Sequence, residues 1–224
     1  WQPTPVPPGF DYDRWLGPAP EAPHHHDRCF YKFRFIYDYS GGQVTNFGAH
    51  GLDIVQWALG TDDTGPRYVE GVYADFLPEG SLFDAATYTH FRCEYDNGTV
   101  VDCMTGEPAV RCTFFGTDGV VSIDSQAQNG TVIPNHLAPE ALRKLTKYHS
   151  GGDHVRNFLD CVKSRDEPNA PVEVGHRSAT VCHLGNIACR LGARLKWNPK
   201  KETFVGGGRD EANAMLDRDR RVDS

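Results

Sequence analysis

The chain has 224 residues, 39% of them hydrophobic and 11% aromatic, which is enough for one large domain or two small ones with an apolar core. Its net charge of −7 argues against a nucleic-acid partner, because general nucleic-acid binders carry a basic surface. No apolar run approaches the roughly 20 residues of a membrane span, so we predict no membrane partner. The chain starts at Trp1 rather than Met, and we expect the natural N-terminus to lie upstream.

Residues 1–30 are rich in proline, which fixes φ and removes backbone donors, and they predict an extended arm rather than a helix or a central strand. Trp1, Phe10 and Trp15 predict that the arm lies on a surface that it covers. The aromatic and β-branched residues 31–37 predict a strand. Residues 48–59 predict a helix that ends at Gly60 in a C-cap.

Five short strands are predicted between residues 66 and 124, where the apolar period changes. Asn97-Gly98 is typical of a two-residue type I′ hairpin turn, and Asp118-Gly119 of a second turn. Pairing about the first turn sets Cys93 opposite Asp102 and puts Cys103 on the other face of the sheet. We therefore predict no disulfide between these two cysteines.

The helical period returns after residue 130. One predicted stripe contains Val155, Phe158, Leu159 and Val162. A second contains Val181, Leu184, Ala188 and Leu191, on a helix over about 174–193. The predicted fold is α+β, an open and mainly antiparallel β-sheet with helices packed on one face. We divide the chain into a proline-rich arm (1–30), an α+β domain (31–204) and a glycine-rich, charged tail with one short helix (205–224).

Metal binding is not predicted anywhere in the chain. The seven cysteines include no C-x-x-C pair, and a small, buried and reduced role suits most of them. His24, His25 and His26 resemble metal-binding composition, but they lie in the arm with only Asp27 as a carboxylate neighbour. A solvated loop is the favoured interpretation.

The segment from Asp38 to Asp53 is the most informative for chemistry. Gly41 and Gly42 let the backbone approach a ligand or another chain closely. A histidine at a helix start beside such glycines, His50, is placed to exchange a proton with a hydroxyl, and Asp53 is placed to orient the ring or to bond backbone. Two plainer interpretations stay open: Asn46 or Thr45 caps the helix, and His50 is a satisfied core residue.

These residues and several others resemble one family in the right order. Gly41 to Asp53, GGQVTNFGAHGLD, resembles the C-terminal-domain motif GG-x-x-x-D-x-G-x-H-x-x-D of the Gfo/Idh/MocA oxidoreductases. WLGPAP, at residues 15–20, resembles the loop that leads into that domain. NFLDCVKSR and EVGHRSATVCHLGNIACRLG resemble its closing helices. The resemblance covers about Trp1 to Leu216.

The resemblance implies that an N-terminal Rossmann domain outside this chain binds NAD or NADP and carries the family's catalytic lysine. It implies that this chain is the substrate and oligomerisation half. His50 matches the catalytic histidine, and Asn46 stands where the family has Asp. Because Asn can hydrogen-bond but cannot take a proton, this difference changes what the site can contribute. Gly41 and Gly42 match the glycine pair, and Asp53 matches the final Asp.

The implied reaction oxidises a CH–OH group of a sugar, glycoside or cyclitol, with hydride transfer to the nicotinamide. We expect Arg34, Tyr37, Tyr39 and Trp15 to contact the substrate, although each is also an ordinary packing residue. Two other functions stay open: a non-redox carbohydrate-binding module, and a lyase or hydrolase that acts on keto-sugars. We expect a homo-oligomer that forms through the sheet face without helices.

Overall fold

A computed structural model describes residues 1–106, 111–124, 130–137, 153–218 and 220–221. Its α-helices are α1 Tyr12–Leu16, α2 Gly42–Leu59, α3 His154–Ser164, α4 Val172–Leu191 and α5 Arg209–Ala214. Its strands are β1 Tyr68–Asp75, β2 Tyr88–Glu94, β3 Val100–Met104, β4 Arg111–Phe115, β5 Val120–Asp124, β6 Gly130–Ile133, β7 Arg194–Asn198 and β8 Thr203–Val205. Short 3₁₀ helices cover Phe30–Phe35 and Asn135–Leu137. No helix of these ranges is long and apolar enough to cross a membrane.

The strands form two antiparallel sheets, in the orders β3-β2-β1-β7-β8 and β4-β5-β6. The predicted α+β class, the mainly antiparallel pairing and the helices on one side are confirmed. All five strands predicted between residues 66 and 124 are present. Strands β6, β7 and β8 were not predicted from the sequence, and the division into two sheets differs from the single sheet that was expected. These strands are only three to five residues long and give little periodic signal, which accounts for the omissions.

The chain folds into two compact units. The first contains residues 1–49, 64–107 and 179–224, and with them the five-stranded sheet. The second contains residues 50–63 and 108–178, and with them the three-stranded sheet and α3.

The core of the first unit lies between its sheet and α4. Val69, Phe91 and Cys93 are fully buried on the sheet, as are Leu184 and Ala188 on the helix. A Cβ at Gly185 of α4 would lie 2.5–2.6 Å from the Phe91 ring, so this glycine lets the helix approach the strands. The predicted stripe of α4 is therefore confirmed as core at Val181, Leu184 and Ala188, and its last member, Leu191, is half-buried.

The hairpin between β2 and β3 differs from the prediction by one residue. Tyr95 pairs with Thr99 through a backbone hydrogen bond of 2.9 Å, and Gly98 takes φ = 84°. The loop is thus the three-residue kind that ends in a left-handed glycine, not a two-residue type I′ turn. Cys93 lies opposite Val101 and Phe91 opposite Cys103, so both cysteines share the buried face. The predicted faces were wrong because a one-residue shift reverses every side chain.

The absence of a Cys93–Cys103 disulfide was predicted from the wrong register, but these and the other cysteines are indeed free. Five of the seven are buried and two are half-buried, in keeping with small apolar residues.

Residues 31–37 form no strand, and the prediction there was wrong. The segment Phe30–Phe35 is a 3₁₀ helix, in which residues three apart lie one above the other. The Arg34 guanidinium accordingly stacks 3.5 Å from the centroid of the Tyr31 ring. No strand of either sheet pairs with the segment, so its β propensity finds no ladder.

The proline-rich arm also contains a helix that was not predicted. Asp11 caps α1 by accepting a hydrogen bond from the Arg14 amide, and Gly17 ends it with φ = 55°. The rest of the arm is extended, as predicted, and Thr4 donates its amide to the His24 carbonyl at 2.8 Å. Leu16 and Ala19 are buried, so the arm does contribute to the core of the first unit.

Helix α2 begins at Gly42, six residues before the predicted start. Thr45 and Asn46 lie within its first turns and are not its N-cap, so that interpretation was wrong. The end is as predicted, since Gly60 takes φ = 66° and Thr61 donates its amide to the Gln56 carbonyl.

The second unit leaves more apolar surface exposed. Helix α3 is present where it was predicted, but its stripe of Val155, Phe158, Leu159 and Val162 is exposed. The short helix predicted in the tail is confirmed as α5, which belongs to the first unit.

Candidate active site

The start of α2 is held by close packing within the first unit. A Cβ on Gly41 would lie 2.5 Å from the Asn186 amide nitrogen, and Asn186 donates to the Gly41 carbonyl at 2.9 Å. Gly42 has φ = 67°, and a Cβ there would lie 2.9 Å from the Ala85 Cβ. Both glycines are therefore required for contacts within the chain. Their predicted contact with substrate stays a prediction.

Three predicted site residues follow one another along α2. Asn46 is half-buried and donates from Nδ2 to the Gln43 side-chain oxygen at 3.2 Å. His50 lies one turn further and is exposed, so the alternative of a buried core histidine was wrong. It lies in the third turn of the helix and not in the first, since α2 begins at Gly42. Asp53 accepts a hydrogen bond of 2.7 Å from the Ser178 hydroxyl.

Two other predicted residues meet in an aromatic cluster of the first unit. The Trp15 and Tyr39 ring centroids are 4.8 Å apart, and Tyr12 stacks on Trp15 at 5.8 Å with an interplanar angle of 10°. Burial raises the pKa of the Tyr12 phenol to about 12 and also raises that of Tyr39, although the charge of Arg28 opposes both shifts. Both phenols are therefore neutral near pH 7.

Arg28 and His24 join this cluster from the arm and are almost fully buried. The Arg28 guanidinium lies 5.5 Å from the centroid of the Trp1 ring, and His24 meets the edge of Tyr12 at 5.0 Å. We call Tyr12, Trp15, His24, Arg28 and Tyr39 the Arg28 cluster. Within the described ranges, Arg28 Nε, His24 Nε2 and the Tyr39 hydroxyl are buried without a hydrogen bond of ordinary geometry.

Arg34 and Tyr37 are engaged elsewhere in the first unit. Arg34 stacks on Tyr31, and two of its buried nitrogens have no hydrogen-bond partner within the described part of the chain. The Arg190 guanidinium lies 4.0 Å from the centroid of the Tyr37 ring, and the Arg218 guanidinium donates to the Tyr37 carbonyl. The structure thus brings Trp15 and Tyr39 together but gives Arg34 and Tyr37 other contacts.

His25, His26 and Asp27 could together hold a metal ion, since their ligand atoms lie within 4.8 Å of one another. The Lys32 ammonium, however, lies 3.0 Å from the Asp27 carboxylate, and His25 Nδ1 accepts the Asp27 amide hydrogen. A lysine on the carboxylate competes with a cation, so we assign no metal here.

A dinucleotide requires a strand that leads through a Gly-x-Gly-x-x-Gly turn into a helix, because the helix N-terminus then holds the pyrophosphate. None of the described strands is followed by that turn. The described part of this chain therefore does not fit a nicotinamide dinucleotide on its own.

The chain belongs to the Gfo/Idh/MocA oxidoreductase family, since the model of that family's C-terminal alpha/beta domain matches residues 1–224. This confirms the resemblance seen in the sequence. None of the curated proteins matches the chain.

Several solved structures share the fold. Aldose-aldose oxidoreductase from Caulobacter crescentus, solved with glycerol, is 15% identical with a TM-score of 0.54, over 74% of this chain and 51% of its own. The WlbA dehydrogenase from Bordetella pertussis, solved with NADH and UDP-GlcNAcA, is 16% identical with a TM-score of 0.54. The match covers 75% of this chain and 50% of the dehydrogenase. An NAD-binding protein from Listeria innocua is 14% identical with a TM-score of 0.51, and the match covers 80% of this chain and 52% of that protein. This chain thus spans about half the length of these proteins.

Arg28 was not predicted from the sequence, and the prediction that His24 lies in a solvated loop with His25 and His26 was wrong for His24, which is buried. The sequence does contain a pattern that could have indicated them, since both are polar residues in an arm that was expected to cover a surface. Only the folded arm shows that they are buried beside Trp15 and Tyr39.

Proposed function

We propose that this chain is the substrate-binding half of an NAD(P)-dependent oxidoreductase that acts on a CH–OH group of a sugar, glycoside or cyclitol. The carrying observation is the family's histidine motif on one continuous helix, with Asn46 and His50 one turn apart on α2. The NADH and UDP-GlcNAcA bound to the Bordetella pertussis dehydrogenase support the same chemistry. In this proposal the cofactor, NAD or NADP, is held by a domain outside these 224 residues.

The contribution of this chain is to position the substrate and to handle one proton. His50 would accept the hydroxyl proton at a ring nitrogen, because an imidazole exchanges protons near neutral pH and this ring is exposed. The Asn46 amide would hydrogen-bond a neighbouring hydroxyl without changing charge. The Trp15 and Tyr39 rings would stack on the C–H surface of the sugar. Hydride acceptance is the chemistry of the nicotinamide.

His50→Ala in the full-length enzyme tests the proton step. We expect kcat to fall by about 10²- to 10⁴-fold, the usual contribution of a general base, with a smaller change in KM. His154→Ala, which removes an exposed histidine from the start of α3, is the matched control and should leave both constants unchanged. An unchanged kcat in His50→Ala would remove this histidine from the mechanism.

Calorimetric titration of the 224-residue chain tests the division of labour. We expect a neutral sugar or polyol to bind and NAD(H) and NADP(H) not to bind, because the described residues provide no pyrophosphate cradle. Tight nicotinamide binding would contradict the proposal. Sugar binding by the chain, together with no dehydrogenase activity in the full-length protein, would instead favour the carbohydrate-binding module or the keto-sugar lyase or hydrolase.

We also propose that the chain self-associates through the open face of the five-stranded sheet. That face, opposite α4, carries Tyr68, His90, Arg92 and Asp102, with Asp102 accepting from His90 at 3.0 Å and from the Arg92 Nε at 3.1 Å. A face so rich in charge predicts an oligomer that weakens as salt increases. Light scattering at high micromolar concentration should detect it, and a monodisperse monomer under those conditions would contradict it.

A further inference from the structure

The Arg28 cluster contains a buried cation without a counter-charge. Arg28 is 7% exposed, and none of the ion pairs among the described residues includes it. Its sequence neighbour Asp27 is engaged by Lys32 at 3.0 Å and by His26 at 3.2 Å. Buried charges in proteins are normally paired with an opposite charge or hydrogen-bonded throughout. An unpaired guanidinium in this position therefore points to an anionic ligand.

Two further buried polar atoms lie in the same cluster. His24 is 6% exposed, and its Nδ1 lies 3.0 Å from the Thr4 carbonyl and 3.1 Å from the Thr4 hydroxyl; we assign the hydrogen to Nδ1, which then donates to the carbonyl. In the neutral ring Nε2 is then an acceptor, and no group of the described chain donates to it. The Tyr39 hydroxyl is also buried, and Arg28 is a polar neighbour of it among the described residues, in an arrangement outside ordinary hydrogen-bond geometry. These two groups suit the hydroxyls of a ligand.

The walls of the cluster suit a sugar ring. The Trp15 and Tyr39 rings pack against each other at 4.8 Å with an interplanar angle of 57°, and Tyr12 joins Trp15 to His24, with centroids 5.8 Å and 5.0 Å away, so the aromatic rings form one continuous apolar wall. The Trp1 ring, whose centroid lies 5.5 Å from the guanidinium, is 47% exposed, so Trp1 is the residue between Arg28 and solvent.

We propose that the Arg28 cluster is a binding site for the anionic group of an acidic sugar, a carboxylate or a phosphate, with Arg28 as the residue that selects it. A guanidinium is suited to this task because its planar donors match a carboxylate or a phosphate in pairs. The inference rests on the proposed function, and it narrows the substrate class from sugars in general to sugars that carry a negative charge.

The test is a calorimetric titration of the 224-residue chain with D-glucuronate, D-glucose 6-phosphate, D-glucose and inorganic phosphate at one ionic strength. We expect at least one of the two acidic sugars to bind at least tenfold more tightly than glucose, and the stronger of the two identifies the anionic group. Equal affinities for glucose and for both acidic sugars would overturn the inference and leave the proposed function in place. Binding of none of the three sugars would overturn both. Phosphate binding as tight as that of glucose 6-phosphate would show a plain anion site and overturn the sugar assignment.

Arg28→Met and Arg28→Lys assign the preference to the guanidinium. Met keeps the apolar stem and should abolish the preference while leaving glucose affinity within about twofold. Lys keeps the charge without the paired donors, so Arg28→Lys should retain part of the preference for acidic sugars. The Lys variant also serves as the test if the Met variant does not fold. The matched control is Arg194→Met, since Arg194 also lies over a tyrosine ring, Tyr68 at 4.2 Å, but on the open face of the sheet.

Thermal unfolding of the ligand-free chain separates this role from packing. If the Arg28 charge is paired only when a ligand is bound, Arg28→Met removes an uncompensated buried charge from the ligand-free chain. The variant should then raise Tm by a few degrees. A lower Tm together with an unchanged preference for acidic sugars would show that Arg28 serves only to stack on Trp1, and would overturn the inference.

Discussion

The two compact units use β-sheet in different ways. In the first unit α4 covers one sheet face, and Phe91 on β2 has no exposed surface. In the second unit, Phe115 on β4 is 83% exposed and each residue of β5 is half-buried. Burial alternates along β4 as it does along β2, and Phe115 lies on the face of β4 opposite to the buried Cys112. A strand pattern therefore predicts which residues share a face, but not which of the two faces becomes buried.

The largest effect that tests this difference should come from Phe91→Ala. Removing a fully buried phenylalanine costs about 3–5 kcal/mol, because the transfer energy is lost and a cavity remains. Phe115→Ala is the matched control in the other sheet, and it should change the free energy of unfolding by less than about 0.5 kcal/mol. Urea denaturation followed by circular dichroism measures both. Equal losses would show that the Phe115 face of β4 is as well buried in solution as the Phe91 face of β2.

A smaller effect is expected from two glycines on α4, one in each unit. Gly185→Ala should cost about 1–3 kcal/mol, because its Cβ would meet the Phe91 ring at 2.5–2.6 Å. Gly175 has no atom within 4 Å of a Cβ, so Gly175→Ala should stabilise by up to about 1 kcal/mol through helix propensity. Melting temperatures that move in opposite directions would confirm the difference in packing. A shift in the same direction for both variants would contradict it.

The smallest effect concerns the open face of the first sheet. Partial burial raises the pKa of Asp102, but hydrogen bonds from His90 and Arg92 outweigh it and hold the pKa below its usual range. The carboxylate therefore contributes stability above its unfolded pKa, and this contribution is lost as the pH falls through the lower, folded value. Because the Arg92–Asp102 ion pair is partly exposed, we expect the pair to contribute less than about 1 kcal/mol to the free energy of unfolding.

Asp102→Asn should accordingly lower Tm slightly at pH 7 and have less effect near pH 2, because the carboxylate takes up a proton as the pH falls towards and through its lowered, folded pKa. Thermal scans at the two pH values measure this. A difference between wild type and variant that grows as the pH falls would contradict the assigned sign.

The sequence predicted the fold class and most elements because these depend on local periodicity. The five strands from 66 to 124 and the stripe of α4 follow from the spacing of apolar residues alone. The register of the β2–β3 hairpin does not, since Asn97-Gly98 occurs in both two- and three-residue loops. Residues 31–37 show that local propensity can also mislead. Their β propensity is strong, but no partner strand pairs with them, and Phe30–Phe35 forms a 3₁₀ helix instead.

The candidate site was predictable only where a motif carried it. His50 and Asn46 were found through the spacing of GGQVTNFGAHGLD, and the structure puts both on one helix. Arg28 was not found, because its burial depends on how a proline-rich arm folds back on residues far along the chain. Gly41 and Gly42 were predicted to let the backbone approach a ligand closely, whereas the structure explains both glycines by their close contacts with Asn186 and Ala85.

The one-residue shift in the β2–β3 hairpin has a practical consequence. It turns Cys103 towards the same side as Cys93, and Cys93 also lies near Cys182 and Cys189. Burial raises the pKa of Cys93 far above its usual range and that of Cys189 to about 11. Alkylating reagents attack the thiolate, so these thiols react only when the first unit opens. The rate of their alkylation in the unmodified protein therefore measures how often that unit opens, with no probe introduced.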